Sequence, residues 1–380
     1  MTLFCVFRSI LPVFLLCSVA WAVPPDFARE VAPLLLKRCI ECHQSGNPSG
    51  GLSLDHREGV LRGGESGESL KPGDAATSLL MERVQSGEMP PPSNGISREL
   101  SAAEKSVLRE WIAGGAEFPA GRRLDLFEAT TDSRGGRDWW AFQPLKELVP
   151  PVMDEAEAAA LKSGRLHPID AFLRTERRQR DNLAAAPPAT PQVLLRRLSW
   201  DLTGLPPQIG PAAAIDPQSL GTDEGFAAAV ETLLASPQYG ERWARHWLDV
   251  VRYADTSGYE RDQPKPFAWK YRDWVVRALN ADMPWADFVR QQLAGDELPE
   301  RSEETVTATG FLRLGTWNDE PNDPADYQWE RLEDMVHVAS TAFLGLTVKC
   351  ARCHDHKFDP IPQADYYRIA SAFAPGPIAA

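Results

Sequence analysis

Two short stretches of this 380-residue chain, KRCIECHQSG at 37–46 and VKCARCHDHKF at 348–358, each set two cysteines three apart with a histidine directly after. Of the six cysteines, Cys5 and Cys17 lie in the first 22 residues; Cys39, Cys42, Cys350 and Cys353 all sit in a Cys-x-x-Cys-His. An exported chain ordinarily turns four cysteines into disulfides. Here the pentapeptide is instead the attachment signature of haem c. Each thiol adds to one of two vinyl groups on neighbouring pyrroles, and two intervening residues let one tight turn offer both sulfurs to the same edge of the macrocycle. The following histidine then lies under the iron as the proximal ligand. Cys39, Cys42 and His43 form the first such set, and Cys350, Cys353 and His354 the second. A zinc site would have to unite the two Cys pairs across some three hundred residues, whereas structural zinc ligands sit far closer in sequence. A thioredoxin-like pair needs a βαβ setting that neither motif has.

The N-terminus agrees with haem attachment outside the cytoplasm. Arg8 precedes a run from Ile10 to Val19 that is apolar except for Ser18, and Ala20-Trp21-Ala22 is a small-x-small cleavage signal. The run is short for a membrane span, so residues 1–22 read as a signal peptide and the mature protein as exported to a periplasm or an equivalent space, with no membrane span after cleavage. An uncleaved anchor is the rival reading. The formal charge of −13 and pI near 5.1 argue against nucleic acid, which needs a basic face.

After the leader, DFAREVAPLLLKRCIECH reads as a helix running into the first motif, with Pro33 near its start. A glycine-rich loop and a helix near 74–86 follow, then SGEMPPPSNG. A lone methionine before prolines, some forty-five residues past the Cys pair, is where a cytochrome presents its distal thioether, so Met89 is the expected sixth ligand; Met81 is expected in the core. SAAEKSVLREWIAGG closes the segment: Ser101 and Glu104 make a capping box, Val107, Leu108, Trp111 and Ile112 form one stripe, and Gly114-Gly115 end the helix. The expected metal ligands are therefore His43 and Met89 in the first site and His354 in the second. His/Met ligation raises the iron potential and suits a one-electron carrier with a redox partner protein.

With RCIECH, GGLSLD, LKPGD and MPP in that order, residues 30–118 resemble the planctomycete-type cytochrome c domain. The resemblance implies haem-binding roles for Cys39, Cys42, His43 and Met89. Residues 26–120 are taken as that domain and 121–165 as a linker, in which DWWAFQPL is expected to dock on a neighbour because paired tryptophans rarely stay in water.

From 166 to 380 the pattern is mainly helical. Thr190 caps a helix with Leu194, Leu195 and Leu198 on one face; Asp223 to Leu234 is another; 236–260 is amphipathic with Trp243, Trp247 and Val250/Val251 on one side; two helices flank Met283-Pro284. DYQWERLEDMVHVASTAFLGLTVKCARCH reads as a long helix ending at the second motif, and a short helix closes the chain. Little alternates with period two. The expected fold class is mainly α, a small cytochrome c domain plus a larger, mostly helical one. LRRLSWDLTGLPP, SPQYGERWARHWLDVVRYADTSGYE and GLTVKCARCHDHKFDPIPQADYY are similar to the uncharacterised domain that commonly follows the planctomycete-type cytochrome. That resemblance implies a helical, haem-associated domain of unknown activity. Members usually continue into a further C-terminal domain, so the ending APGPIAA reads as a truncation.

No Met-Pro loop follows the second motif. Its distal ligand would come from His246, His337, Met283 or Met335, or the sixth position would stay open; a metal held by His354, His356 and Asp359 is the rival. Asp249, Arg252, Tyr253 and Asp255 are either a catalytic cluster or an ion-pair network at a helix end, the network being favoured. NDEPNDPADY at 318–327 is rich in oxygen ligands but lacks EF-hand spacing. No nucleophile elbow, phosphate loop or dinucleotide fingerprint is present. Three readings stand side by side: an exported multihaem electron carrier, a redox or hydrolytic enzyme whose helical domain is served by the cytochrome, and a binding module with a structural metal at the second motif.

Overall fold

A computed structural model describes residues 24–374, apart from 93–94, 153, 181–182, 209 and 211–213. The leader read at 1–22 lies outside the described residues, as does most of the APGPIAA end. The chain is mainly α-helical, and its described residues fall into two compact units. One runs to Gln143 and takes in Phe358–Pro360; the other comprises Pro144–Lys357 and the chain from Ile361. Among the described residues, no helix is long and apolar enough to cross a membrane.

The first unit holds α1 (Ala32–Arg38), α2 (Arg57–Arg62), α3 (Leu79–Gln85) and α4 (Ala102–Ala113), with the two-residue strands β1 (His43–Gln44) and β2 (Asn47–Pro48) paired antiparallel. A π-turn, Phe27–Val31, leads into α1, and Pro33 sits in the first turn of α1, where its missing N–H costs nothing. Ser101 accepts from the Glu104 N–H while the Glu104 carboxylate accepts from the Ser101 N–H, so both ends of the capping box are closed. The same Glu104 takes the Arg38 Nε at 2.9 Å and ties α4 to the end of α1. Leu35, Ile40, Met81, Leu108 and Ile112 are fully buried in one cluster. Each such side chain contributes about 1.5–3 kcal/mol relative to exposure.

The second unit holds α5 (Glu155–Lys162), α6 (Pro168–Gln179), α7 (Pro191–Leu202), α8 (Asp223–Leu234), α9 (Pro237–Val250), α10 (Ala268–Asn280), α11 (Trp285–Ala294), α12 (Glu303–Ala308), α13 (Pro324–Ala339) and α14 (Gln363–Phe373). Helices α9 and α10 come together at Gly240. A Cβ there would lie 2.6 Å from the Val276 carbonyl and from the Asn280 amide, so only glycine permits the approach. Asn280 uses that closeness, accepting from the Gly240 N–H at 2.8 Å and donating to the Pro237 carbonyl at 3.1 Å. Trp274 on α10 stacks near-parallel with Tyr271 and with Phe288, ring centroids 6.1 and 5.3 Å away. Gln292 is fully buried and satisfied: its amide oxygen accepts from Trp247 Nε1 and the Tyr271 hydroxyl, and its nitrogen donates to the Phe288 carbonyl. A buried amide left open would cost about 1–3 kcal/mol.

Several elements differ from the sequence-based expectation. The helix foreseen near 74–86 begins only at Leu79, because Asp74 captures the Thr77 N–H and hydroxyl and holds 74–77 in a turn. Helix α1 stops at Arg38, so the first motif is a turn beyond it. Helix α13 stops at Ala339; a π-turn and a left-handed Gly345 intervene before a short 3-10 turn, Val348–Arg352, that carries Cys350. On α9, Trp247 and Val251 face the core, but Trp243 and Val250 are exposed. The segment 121–165 is not free chain throughout: Leu124 and Phe127 are buried and α5 lies within it. The docking expected of Trp139 and Trp140 is not seen: they are 43 and 76 % exposed, their rings tilted against each other with centroids 6.5 Å apart.

Candidate functional site

The turn after α1 builds the first site. The Cys39 N–H closes the helix on the Leu35 carbonyl, and the N–H groups of Cys42 and His43 both bond to the Cys39 carbonyl, at 3.2 and 3.0 Å. Two thiols and an imidazole thus leave a single turn. The chain is then pinned where it passes on, by Ser49 N–H to the Cys42 carbonyl and Leu54 N–H to the His43 carbonyl. On the other side, α3 ends and Gly87, at φ +79°, reverses the chain; a Cβ there would meet the Glu99 carboxylate at 2.8 Å. The reversal brings the Met89 N–H onto the Arg83 carbonyl at 3.1 Å.

The result is one cavity of about 260 Å³ bordered by Cys39, Cys42, His43 and Met89 together. Leu52, Leu54, Leu79, Leu80, Val84 and Pro90 add apolar wall, and Arg38, Arg83, Arg98 and Glu41 line it with charge. Both cysteines are free thiols. Burial pushes the Cys39 thiol up to about 12, the Arg38 charge opposing only in part. Burial likewise lowers the His43 imidazole below its usual value, against the backbone of Ser49 and Leu52. Its Nδ1 is buried without a hydrogen-bond partner. Two thiols, an imidazole and a thioether around an apolar hollow are the donor set a covalently bound haem uses, and the residues present fit that group. Met81, by contrast, is fully buried in the core of the unit.

A polar knot that sequence reading missed braces the stretch behind His43. Asp55, almost wholly buried, accepts from the Ser45 N–H and hydroxyl at 3.2 and 3.0 Å, and lies 2.7 Å from His56 Nδ1 and 3.1 Å from Arg123 Nη1. Burial alone pushes the Asp55 carboxyl up, but the hydrogen bonds from His56 and Ser45 outweigh it and hold it below the usual carboxylate range. A folded value below the unfolded one adds stability above the unfolded pKa, and that contribution fades as pH falls through the folded one. Urea unfolding followed from about pH 6 down to pH 2 is therefore expected to show a steeper acid loss in wild type than in Asp55→Asn. Parallel acid limbs would count against this role.

The second motif is differently placed. Cys350, Cys353 and His354 are all exposed, and none borders a cavity described here. His354 Nδ1 lies 2.7 Å from the Asp355 carbonyl, while His356 is buried, its N–H on the Ile361 carbonyl. Among the described residues, no three His, Cys, Asp or Glu side chains gather as a metal site, His354, His356 and Asp359 included. Of the distal candidates, Met335 is in a core cluster, Met283 and His337 are half-buried and His246 is exposed. Arg252 pairs with Asp334 at 2.7 Å and Tyr253 donates to Asp255, so these residues bond structurally at the end of α9. In 318–327, Asp323 caps α13 and Asp319 and Glu320 pair with Arg261.

The first site has the make-up of a c-type cytochrome, and residues 39–93 match the planctomycete cytochrome C family, which implies haem c. Residues 168–376, more than half of the chain, match the PSCyt2 family, a protein of unknown function (DUF1549), and the chain belongs to that family. No curated protein and no solved structure matches it.

Proposed function

We propose that this chain is an exported carrier of single electrons that exchanges them with a redox partner protein, in which Cys39 and Cys42 would attach haem c and His43 and Met89 would hold its iron. The convergence of these four side chains on one apolar cavity carries the reading. When bound, the haem supplies a one-electron iron couple. The free thiols provide the attachment points. Met89 offers a neutral, soft sulfur, which favours the reduced metal. The leucine-rich wall gives the site an apolar lining, and Arg83 and Arg98 present guanidinium groups of the kind that bind carboxylates. We extend the reading to a second haem at Cys350, Cys353 and His354, supported by the identical spacing and by two free, exposed thiols.

Redox titration of the full chain, matured in a haem-attaching host, tests the first site. Met89→Ala is expected to lower the potential of one haem by the order of 0.2 V, within the roughly 0.8 V span that axial ligands command. A potential unmoved by the substitution would remove Met89 from the ligand set.

A further inference from the structure

The second unit contains a hollow of about 580 Å³ that the electron-carrier reading does not use. It lies among the loop before α10, α12 and the turn that follows. Phe267, Val306, Leu314 and Trp317 give it apolar walls, and Lys265 and Lys270 line it with charge. Phe267 is 70 % exposed, an unusual position for a large aromatic ring with nothing over it.

Beside this hollow, positive charge is gathered more densely than its partners account for. Lys265 Nζ donates to the Leu314 and Gly315 carbonyls, each at 3.0 Å, and neither contact neutralises it. A Cβ placed on Gly315 would meet Asp334 Oδ2 at 2.2 Å and nitrogens of Arg252 and Arg331 at 3.1 Å, so these groups converge on the same peptide. Asp334 is spent on Arg252 at 2.7 Å. Arg331 is 3 % exposed, donates to the Thr316 carbonyl and stacks over Trp317 at 5.2 Å. Among the described residues, neither Lys265 nor Arg331 has a carboxylate at ion-pair distance. The Nε atoms of Arg252 and Arg331 are buried without hydrogen-bond partners. Burial, then the guanidinium groups of Arg331, Arg252 and Arg313, push the Lys265 ammonium below its usual value.

Lys265, Lys270 and Arg313 line the hollow and Arg252 and Arg331 act on Lys265 from nearby, five cations near which Asp334 pairs with Arg252 and Glu303 with Lys270, so in a chain of formal charge −13 the local sign is reversed. Buried charge left uncompensated is costly and is normally paired. An anion seated in the hollow supplies the missing partner, and the walls select what the anion is attached to. We propose that this hollow binds a small organic anion, an acidic head group on a flat apolar body, with the head at Lys265 and the body against Phe267 and Trp317.

Titration calorimetry on the full chain at low ionic strength tests this with benzoate, phenyl phosphate and benzyl alcohol as probes. At least one of the two anions is expected to bind with one-to-one stoichiometry, about tenfold or more tighter than the neutral alcohol, a gap of about 1.4 kcal/mol. The ratio of the two anions identifies the head group. Lys265→Met is expected to weaken the tighter anion about tenfold, and Phe267→Ala to weaken both anions and the alcohol. Lys270→Met, at an exposed position where Lys270 pairs with Glu303 at 3.3 Å, removes another lining charge should Lys265→Met fail to fold. Absence of binding by both anions at millimolar concentration, equal binding of the alcohol, or wild-type affinity in the folded lysine variants would overturn the assignment.

Discussion

Alanine at both Cys39 and Cys42 is expected to halve the covalent haem of the full chain matured in a competent host, read as pyridine haemochrome absorbance per protein and as the loss of one haem in intact mass. The reason is chemical and local. Both thiols are free and both leave the same turn beside His43, so each would supply one thioether bond to the proposed haem. Cys350 and Cys353 belong to a different turn, so the haem proposed there would be kept. The single variant Cys42→Ala retains the Cys39 bond, so its haemochrome spectrum shifts toward that of a one-thioether haem while the mass is kept. A haem-free double variant would place all the haem at the first motif and remove the second from the account. Unchanged haem content would overturn the first site itself.

Trp274→Ala is expected to cost about 3–5 kcal/mol of the stability of the second unit, read from urea unfolding by far-ultraviolet circular dichroism. Trp274 is 2 % exposed and stacked with both Tyr271 and Phe288. Its neighbour Tyr271 is also a member of the Trp247–Gln292 network, so a collapse around the missing indole disturbs buried hydrogen bonds as well as packing. Burial pushes the Tyr271 hydroxyl up, keeping it a neutral donor. Trp140→Ala removes the same side chain from a 76 % exposed position and is expected to change stability by no more than about 0.5 kcal/mol. Equal effects at the two positions would show that the stack around Trp274 does not hold the unit together.

What could be read along the chain was what short-range chemistry specifies. The α4 capping box at Ser101 and Glu104, the bounds of the helix from Asp223 to Leu234, the apolar face of Leu194, Leu195 and Leu198, and the helical class of the whole all follow from interactions within a few residues. So does the pairing of two cysteines with a histidine, since a tight turn alone sets their spacing. Local signals failed where they competed: Asp74 takes a turn's hydrogen bonds that a helix would have used, and Gly345 ends the run before the second motif.

The amino-acid sequence by itself determined the helical elements and the two haem-attachment signatures. Only the tertiary structure decided that Met89 reaches the cavity of Cys39, Cys42 and His43, that Asp55 joins Ser45, His56 and Arg123, and that Lys265 lies beside Arg331. Turns and caps are closed by hydrogen bonds between near neighbours, so their rules are written in consecutive letters. Burial and the meeting of charges depend on which distant surfaces the packed core brings face to face, and no local pattern encodes that.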